Sequence, residues 1–243
     1  MAQQAPKSPV SKLTAEAIVN AAIDVADRDG LDALSMRRIA DELGVGAMSL
    51  YRHIADKDAL LTAMAQEAGS RFPYPVDESP GWRDRVARAV DIDWALYQRH
   101  PWVVLAYAVP RYGFGNDSLA GLEWLAEGFL ELGVDEARAV EMVLTLWSHV
   151  NGAALVWVSE KIAPAGSSGS EPAGGLGDVL GAWSPEDRQA RRARWPILAS
   201  LADRHNLSER LSPRAVLDAG VENLCAGFEV SAGRAVRGRP PGI

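Results

Sequence analysis

The chain has 243 residues and a mass of 26.1 kDa, with 48% hydrophobic and 23% charged residues, a composition that suits a folded protein and excludes general disorder. Its net charge of −7 gives no overall attraction to nucleic acid, so any DNA-binding surface must depend on where individual cations point. The absence of a secretory signal and of any run near the roughly 18 apolar residues of a membrane span, together with a single cysteine, predicts a cytoplasmic protein without a membrane segment.

Apolar residues recur at spacings of three and four along almost the whole chain, and strand-like alternation is hard to find, so we predict an all-α fold. Ser-Pro pairs at 79–80, 184–185 and 212–213 predict helix starts, with serine as the N-cap and proline at the first helical position. The predicted helices cover residues 14–29, 35–43, 46–52, 56–71, 80–99, 102–109, 116–132, 135–161, 185–204 and 213–230.

Composition also suggests how the chain is divided. A turn-rich joint ends a first domain over 13–72, and a second domain follows over 73–231. The Gly/Ser-rich stretch 164–177 predicts a mobile loop within the second domain. We expect flexible ends, an arm over 1–12 and a tail over 232–243.

Residues 34–54 read LSMRRIADELGVGAMSLYRHI and have the spacing of a helix-turn-helix. Ser35 is placed to cap the first helix, and Gly44 can adopt the left-handed conformation that ends it. Ala40 lies four residues before Gly44 and ten before Leu50, where a small residue lets two helices cross closely. An ordinary pair of surface helices would explain Gly44 alone, whereas the joint spacing predicts a DNA-reading motif.

The second helix of the motif is short and has small residues at its front, so its N-terminus can approach base edges in the major groove. Arg37 and Arg38 of the preceding helix are expected to reach the DNA backbone. Asp56 is expected to cap the next helix and to place Lys57 beside free backbone N–H groups, where a phosphate can bind. The second helix presents Ala47, Met48, Ser49, Tyr51, Arg52 and His53.

Residues 13–72 resemble the N-terminal domain of the tetracycline-repressor (TetR) family of transcriptional regulators, most closely in LSMRRIADELGV (34–45), SLYRHI (49–54) and DKDALL (56–61). The ending GVENLCAGF (220–228) is also similar to that family. The resemblance implies a three-helix DNA-binding domain, a fourth helix linking it to an all-α ligand-binding and dimerisation domain, and a homodimer on a pseudo-palindromic operator. Carried over by position, the DNA contacts are Met36, Arg37, Ala47, Met48, Ser49, Tyr51, Arg52, His53 and Lys57.

Two helices of the second domain suggest how a dimer forms. The helix over 135–161 is apolar nearly all round, which is typical of a helix buried from more than one side. The helix over 213–230 has an apolar stripe without an obvious cover, and the resemblance assigns both helices to a four-helix dimer interface. The alternative is that both lie inside a monomer. The stripe consists of Ala215, Val216, Ala219, Leu224 and Phe228.

Eight tryptophans, all of them in the second domain, suggest an apolar ligand cavity with few polar groups. His149 and Arg111 are further polar candidates. The alternative is that most of these aromatic residues are core or interface anchors. We predict that the cavity lining includes some of Trp102, Leu105, Tyr107, Trp147 and Asn151.

Catalysis has little support in the sequence. The four histidines are far apart, no glycine-rich phosphate loop follows a strand, and Cys225 has no basic neighbour. Asp91 and Asp93 lie on different helix faces, which argues against a paired-carboxylate site. We therefore predict no enzymatic activity, no catalytic residues, no metal and no cofactor.

The sequence as a whole predicts a ligand-responsive transcriptional regulator. We expect a repressor that binds its DNA operator as a homodimer and is released by a small apolar or aromatic effector. The helix over 56–71 is expected to transmit ligand binding, because its tilt would set the separation of the two reading helices. The alternative is that this helix moves little and the ligand acts through dynamics. The alternatives are a dimeric small-molecule-binding protein that does not read an operator and, more remotely, a helical enzyme.

Overall fold

The computed structural model describes residues 13–162 and 175–238, and every regular element in these ranges is helical, which confirms the predicted all-α fold. The predicted arm and most of the predicted loop lie outside the described residues. The helices are α1 (Ala15–Asp29), α2 (Met36–Leu43), α3 (Ala47–Leu50), α4 (Lys57–Ser70), α5 (Trp82–Arg99), α6 (Val103–Tyr107), α7 (Pro110–Gly113), α8 (Asn116–Leu130), α9 (Glu136–Ile162), α10 (Leu176–Gly181), α11 (Pro185–Arg192), α12 (Pro196–Leu201), α13 (Leu207–Arg210) and α14 (Pro213–Gly238).

We refer to α1–α3 together with Lys57 at the start of α4 as the head, to α5–α14 as the body, and to α4 as the helix between them. α1 packs against α2 and α4, and α4 in turn contacts α6, α7 and α8 of the body. One continuous hydrophobic core runs from Ile18 in α1 to Phe228 in α14, so head and body share buried contacts through α4.

The body is built around α9, which packs against α8 on one side and α14 on another, with further contacts to α5 and α6. Its side chains at Met142, Val143, Leu146 and Val150 are almost fully buried. By length and composition alone, α9 is the one helix of the described ranges that could cross a membrane. The buried core helix of a protein outside the membrane can have the same length and composition, so this feature is weak evidence for a membrane span. The expectation that no membrane segment is present stays a prediction.

Three local predictions about the body are wrong. The predicted helix over 185–204 is two helices, since α12 begins at Pro196, whose missing N–H and fixed φ favour a helix start. α5 begins at Trp82 after Gly81, so Ser79 does not cap it. α14 continues to Gly238, which places helix where a flexible tail was expected.

The other two Ser-Pro pairs behave as predicted. Ser184 forms a capping box with Asp187 at the start of α11. The Ser212 hydroxyl accepts a hydrogen bond from the N–H of Ala215 at 3.3 Å, at the start of α14. The short helices α7, α10 and α13 were not predicted, and α10, α12 and α13 contribute to a second, small core of Leu180, Ala202 and Leu207.

Candidate functional site

The turn between α2 and α3 has the geometry that the sequence predicts. Ser35 caps α2, its hydroxyl accepting from the N–H of Arg38 at 3.1 Å. Gly44 adopts a left-handed conformation (φ 65°, ψ 30°), and its N–H donates to the carbonyls of Ala40 and Asp41. Because a side chain is strained at that φ, glycine here fixes the angle at which α3 leaves α2.

The second helix of the motif is short, and Leu50 anchors it with no exposed surface. α3 itself ends at Leu50, and the predicted contact residues Tyr51, Arg52 and His53 follow in a turn rather than in the helix. Met48 is 75% exposed and Tyr51 is 46% exposed, although large hydrophobic side chains are more often buried. This short segment therefore presents its side chains outward.

The cations of the head differ in what they contact. Arg37, Arg52 and Lys57 are exposed, and within the described ranges none of them forms an ion pair or a side-chain hydrogen bond. Arg38 behaves differently, because its guanidinium lies 3.2 Å from the Asp29 carboxylate. Arg38, which was expected to reach the DNA backbone, is thus held within the head.

The start of α4 is also as predicted. The carboxylate of Asp56 accepts from the N–H of Ala59 at 2.8 Å, which makes Asp56 the N-cap and Lys57 the first residue of the helix. The free N–H groups and positive end of a helix dipole attract anions. Lys57 therefore lies at a point where a phosphate oxygen would meet both a side-chain cation and backbone donors.

A single carboxylate in α1 connects the head to the body. Asp27 accepts from the indole N–H of Trp102 at 2.8 Å, and it lies 2.9 Å from both Nδ1 of His100 and the guanidinium of Arg99. Burial alone would raise the pKa of Asp27, but the hydrogen bonds from His100 and Trp102 and the charge of Arg99 hold it below its ordinary value. We call this set of contacts the Asp27 anchor.

The body contains a cavity of about 460 Å³ bordered by the α4–α5 connection and by α5, α8 and α9. Tyr107, Trp147 and Asn151 line it, as the sequence predicted. Trp102 and Leu105 are not among the residues that border it. Trp102 is 1% exposed and turns toward α1 in the Asp27 anchor, since its indole N–H finds a carboxylate there.

The other two polar candidates also lie away from the cavity. Nε2 of His149 is 3.2 Å from the carbonyl oxygen of Leu217 and packs against Gly220, so His149 faces α14. The guanidinium of Arg111 contacts Asp58 and the hydroxyl of Tyr112 on the surface beside α4. Neither side chain is among those that border the cavity.

The cavity does contain polar groups that the sequence reasoning passed over. The Trp147 indole N–H donates to the Tyr74 hydroxyl at 3.1 Å, and that hydroxyl donates to Oδ1 of Asp93 at 2.9 Å. Tyr97 donates to the side-chain oxygen of Asn151. Burial raises the pKa of the Asp93 carboxyl to about 7, against the opposite effect of the hydrogen bond from Tyr74. The available sequence signal was an acidic residue, Asp93, between the apolar residues Ile92 and Trp94 of α5.

The cavity reaches α4. Gly69 of α4 lines it, and a Cβ at this position would lie 2.6 Å from the Tyr107 hydroxyl. That hydroxyl donates to the carbonyl oxygen of Ala65 at 3.4 Å. Burial and the nearby Asp93 raise the pKa of Tyr107 to about 12, so the hydroxyl keeps its proton at neutral pH. A molecule in the cavity would therefore be in reach of the helix that begins at Lys57.

A second feature of the body is a surface of small and apolar residues on α9 and α14. Phe228 and Leu224 of the predicted stripe are partly or fully covered within the chain, and Phe228 packs edge-on against Phe129 at 5.3 Å. Other residues remain exposed at helical spacing. We call these the α9/α14 face: Gly152, Leu155 and Val156 of α9, and Val216, Ala219, Ala226, Gly227 and Val230 of α14.

Comparison with known proteins agrees with this architecture. The sequence model of a family described as bacterial regulatory proteins, tetR family, matches residues 18–64. The HTH-type transcriptional repressor DrrR1 of Streptomyces coeruleorubidus is 31% identical over 202 residues, which make up 81% of this chain and 72% of that protein. The chain belongs to the tetR family of bacterial regulatory proteins.

Two further relatives extend the comparison over the body of this tetR-family protein. An HTH-type transcriptional regulator of Saccharopolyspora erythraea is 30% identical over 224 residues, covering 91% of this chain and 86% of that one. The crystal structure of the TetR family protein ActR of Streptomyces coelicolor, in complex with actinorhodin, has a TM-score of 0.73 and 27% identity, with 93% and 99% of the two chains covered. This tetR-family chain is a helix-turn-helix transcriptional regulator.

Proposed function

We propose that this regulator is a cytoplasmic repressor that binds a pseudo-palindromic operator as a homodimer and is released by a small aromatic ligand in the body cavity. In this proposal residues 13–72 form the DNA-binding domain and residues 73–231 form the ligand-binding and dimerisation domain. The observation that carries it is the joint presence of unpaired cations around α3 and of a cavity that borders α4.

The charges of the head support DNA binding despite the acidic total. Arg37, Arg52 and Lys57 have no anionic partner among the described residues, whereas the carboxylates of Asp27 and Asp29 each pair with other cations. Asp29 pairs with Arg28 and Arg38, and Asp27 belongs to the anchor. We assign the DNA contacts to the predicted set: Met36, Arg37, Ala47, Met48, Ser49, Tyr51, Arg52, His53 and Lys57.

The α9/α14 face supports the homodimer. Val156 and Val230 are 59% and 56% exposed, and small residues between the apolar ones would allow the helices of two copies to approach closely. Two α9 and two α14 helices would then form a four-helix interface. Such a dimer would hold its reading helices about one turn of DNA apart, roughly 34–36 Å.

The cavity supports ligand control. ActR, which shares this fold at 27% identity, has been crystallised in complex with actinorhodin. By analogy we assign ligand contacts here to Tyr107, Trp147 and Asn151. For tenfold release, the ligand must favour the form that does not bind DNA by about 1.4 kcal/mol.

The proposal is tested by selecting bound sequences from random duplex DNA with the full-length protein. We expect an enriched inverted repeat, bound by two copies with an affinity that falls steeply as salt increases. Compounds can then be screened for release of that site. If selection enriches no sequence, the protein does not read an operator, and the alternative of a dimeric small-molecule-binding protein replaces the proposal.

A further inference from the structure

The charged side chains that border the body cavity among the described residues are acidic, and this feature narrows the class of ligand that the proposed function requires. Among the described residues that border the cavity, the ionisable side chains other than tyrosine are Asp93 and Asp117, and no lysine, arginine or histidine is included. Asp117 is exposed in the first turn of α8, whereas Asp93 is half-buried within α5. An anionic ligand would thus meet acidic groups without a compensating cation.

One oxygen of the Asp93 carboxylate accepts a hydrogen bond from a described residue, and the other does not. Tyr74 donates to Oδ1 at 2.9 Å, and no other hydrogen bond or ion pair to Asp93 occurs within the described ranges. No fully buried side-chain oxygen in these ranges lacks a hydrogen-bond partner. The second oxygen of Asp93 therefore borders open space, and the space beside it is the cavity.

The walls around this carboxylate are largely aromatic. Tyr97 and Tyr107 meet edge to face with ring centroids 6.5 Å apart, and Trp147 is joined to Asp93 through Tyr74. Aromatic faces attract cations as well as apolar rings, more strongly where water is excluded. The aromatic residues that border the cavity are Phe72, Tyr74, Tyr97, Tyr107, Phe114 and Trp147.

We propose that the ligand is an aromatic cation whose protonated nitrogen donates a hydrogen bond to the open oxygen of Asp93 while its rings lie among the cavity aromatics. The inference rests on the proposed use of this cavity for ligand binding. Burial removes the Asp93 carboxylate from water and raises its pKa to about 7, and no cationic side chain among the described residues of the cavity offsets this effect. A bound cation supplies a positive charge there, and the Trp147–Tyr74–Asp93 chain of donors already stabilises the ionised form.

The test uses three pyrene probes that differ only in the substituent: 1-pyrenemethylamine, which is a cation at pH 7.5, 1-pyrenemethanol, which is neutral, and 1-pyrenecarboxylate, which is an anion. Binding to the full-length protein is measured by calorimetry without DNA. We expect the amine to bind at least about tenfold more tightly than the alcohol, and the carboxylate to bind most weakly.

Three variants test whether Asp93 is responsible for the preference for the amine probe. Asp93→Asn keeps the size of the side chain and an acceptor for Tyr74, so it should lower the affinity for the amine by about tenfold and leave that for the alcohol almost unchanged. Asp84→Asn is the matched control, since Asp84 is an exposed carboxylate on the same helix, outside the cavity lining. Ala120→Trp, at the border of the cavity, should reduce the binding of every probe.

Several results would overturn the inference. One is that 1-pyrenemethanol binds the unmodified protein as tightly as 1-pyrenemethylamine or more tightly, a comparison that does not depend on any variant folding. Equal losses of affinity for the amine and the alcohol in Asp93→Asn would also refute the inference, since they would show that Asp93 has a structural role. Absence of binding by all three probes would reject aromatic cations as the ligand class. The proposed function fails on different grounds, namely if no operator is selected or no compound releases it.

Discussion

The hydroxyl of Tyr107 donates to the carbonyl oxygen of Ala65 at 3.4 Å, so a side chain that lines the cavity is bonded to the backbone of α4. Gly69, one turn further along α4, leaves the space that this hydroxyl occupies. The contact gives a direct physical route from the cavity to the helix that begins at Lys57.

Substituting Gly69 tests how closely α4 fits against Tyr107. The added Cβ of Gly69→Ala would lie 2.6 Å from the hydroxyl, so the variant should be destabilised although alanine favours helix. Tyr107→Phe removes the oxygen, and Gly69→Ala should cost less in that background. Urea unfolding of the four proteins should give a coupling energy of about 0.5–3 kcal/mol. Additive effects would show that the two residues do not meet.

Removing cations from the head should weaken DNA binding in two distinguishable ways. Arg52→Ala should cost about 1–3 kcal/mol on a selected operator and relax its sequence preference. Lys57→Ala should weaken all sequences about equally and flatten the dependence of the affinity on salt. Arg194→Ala is a control of equal charge in the body, where it should change neither quantity. Unchanged binding in both head variants would contradict the assigned DNA interface.

A charge on the α9/α14 face should separate the dimer. Val156→Glu places a carboxylate on a side chain that is 59% exposed in the single chain, where burial against a second copy would leave it unpaired. Light scattering after gel filtration should show monomers, and operator affinity should fall. Ile197→Glu is the control, because Ile197 is 79% exposed on α12, away from this face. A dimeric Val156→Glu protein would place the interface elsewhere.

Asp93 should make the protein less stable as pH rises. Its folded pKa of about 7 lies above the ordinary value of 3.8, so the folded state binds the proton more tightly and loses stability between about pH 4 and pH 7. Above that range the penalty is at most about 4 kcal/mol, at about 1.36 kcal/mol per pKa unit. Asp93→Asn should therefore melt at a higher temperature than the unmodified protein at pH 8 and at a similar one at pH 4.

Asp27 should have the opposite dependence. Its pKa is held below 3.8, so its contribution to stability is present above that value and is lost as pH falls through the folded pKa. Asp27→Asn should lower the unfolding free energy at pH 7 by about 1–3 kcal/mol, because three donors lose a charged acceptor. The difference should narrow below pH 4. Equal losses at every pH would point to packing rather than charge.

Short-range signals carried most of what could be predicted. Ser35, Gly44 and Asp56 each act on backbone groups within four residues, so their caps and turn could be recognised from spacing alone. The apolar periodicity gave the all-α class and the approximate bounds of the long helices. The break at Pro196 was a missed local signal of the same kind.

Contacts between distant parts of the chain could not be predicted in this way. Trp102 was expected in the cavity because tryptophan suits an apolar pocket, but its indole N–H meets Asp27, 75 residues earlier. Asp93 was set aside as one of two acidic residues on different helix faces, and its role depends on Tyr74 and on a cavity formed by several helices. Periodicity indicates which face of a helix is buried, but not what that face meets.

The Asp27 anchor has a consequence for how the head can move. Three donors clustered around the end of α5 hold one carboxylate of α1, while the cavity borders α4 on another side of the head. If the head is held at Asp27 and displaced through α4, it rotates about Asp27 instead of sliding. Asp27 would then be the pivot, and a small displacement of α4 would be enlarged with distance from it, toward the tip where Met48 protrudes.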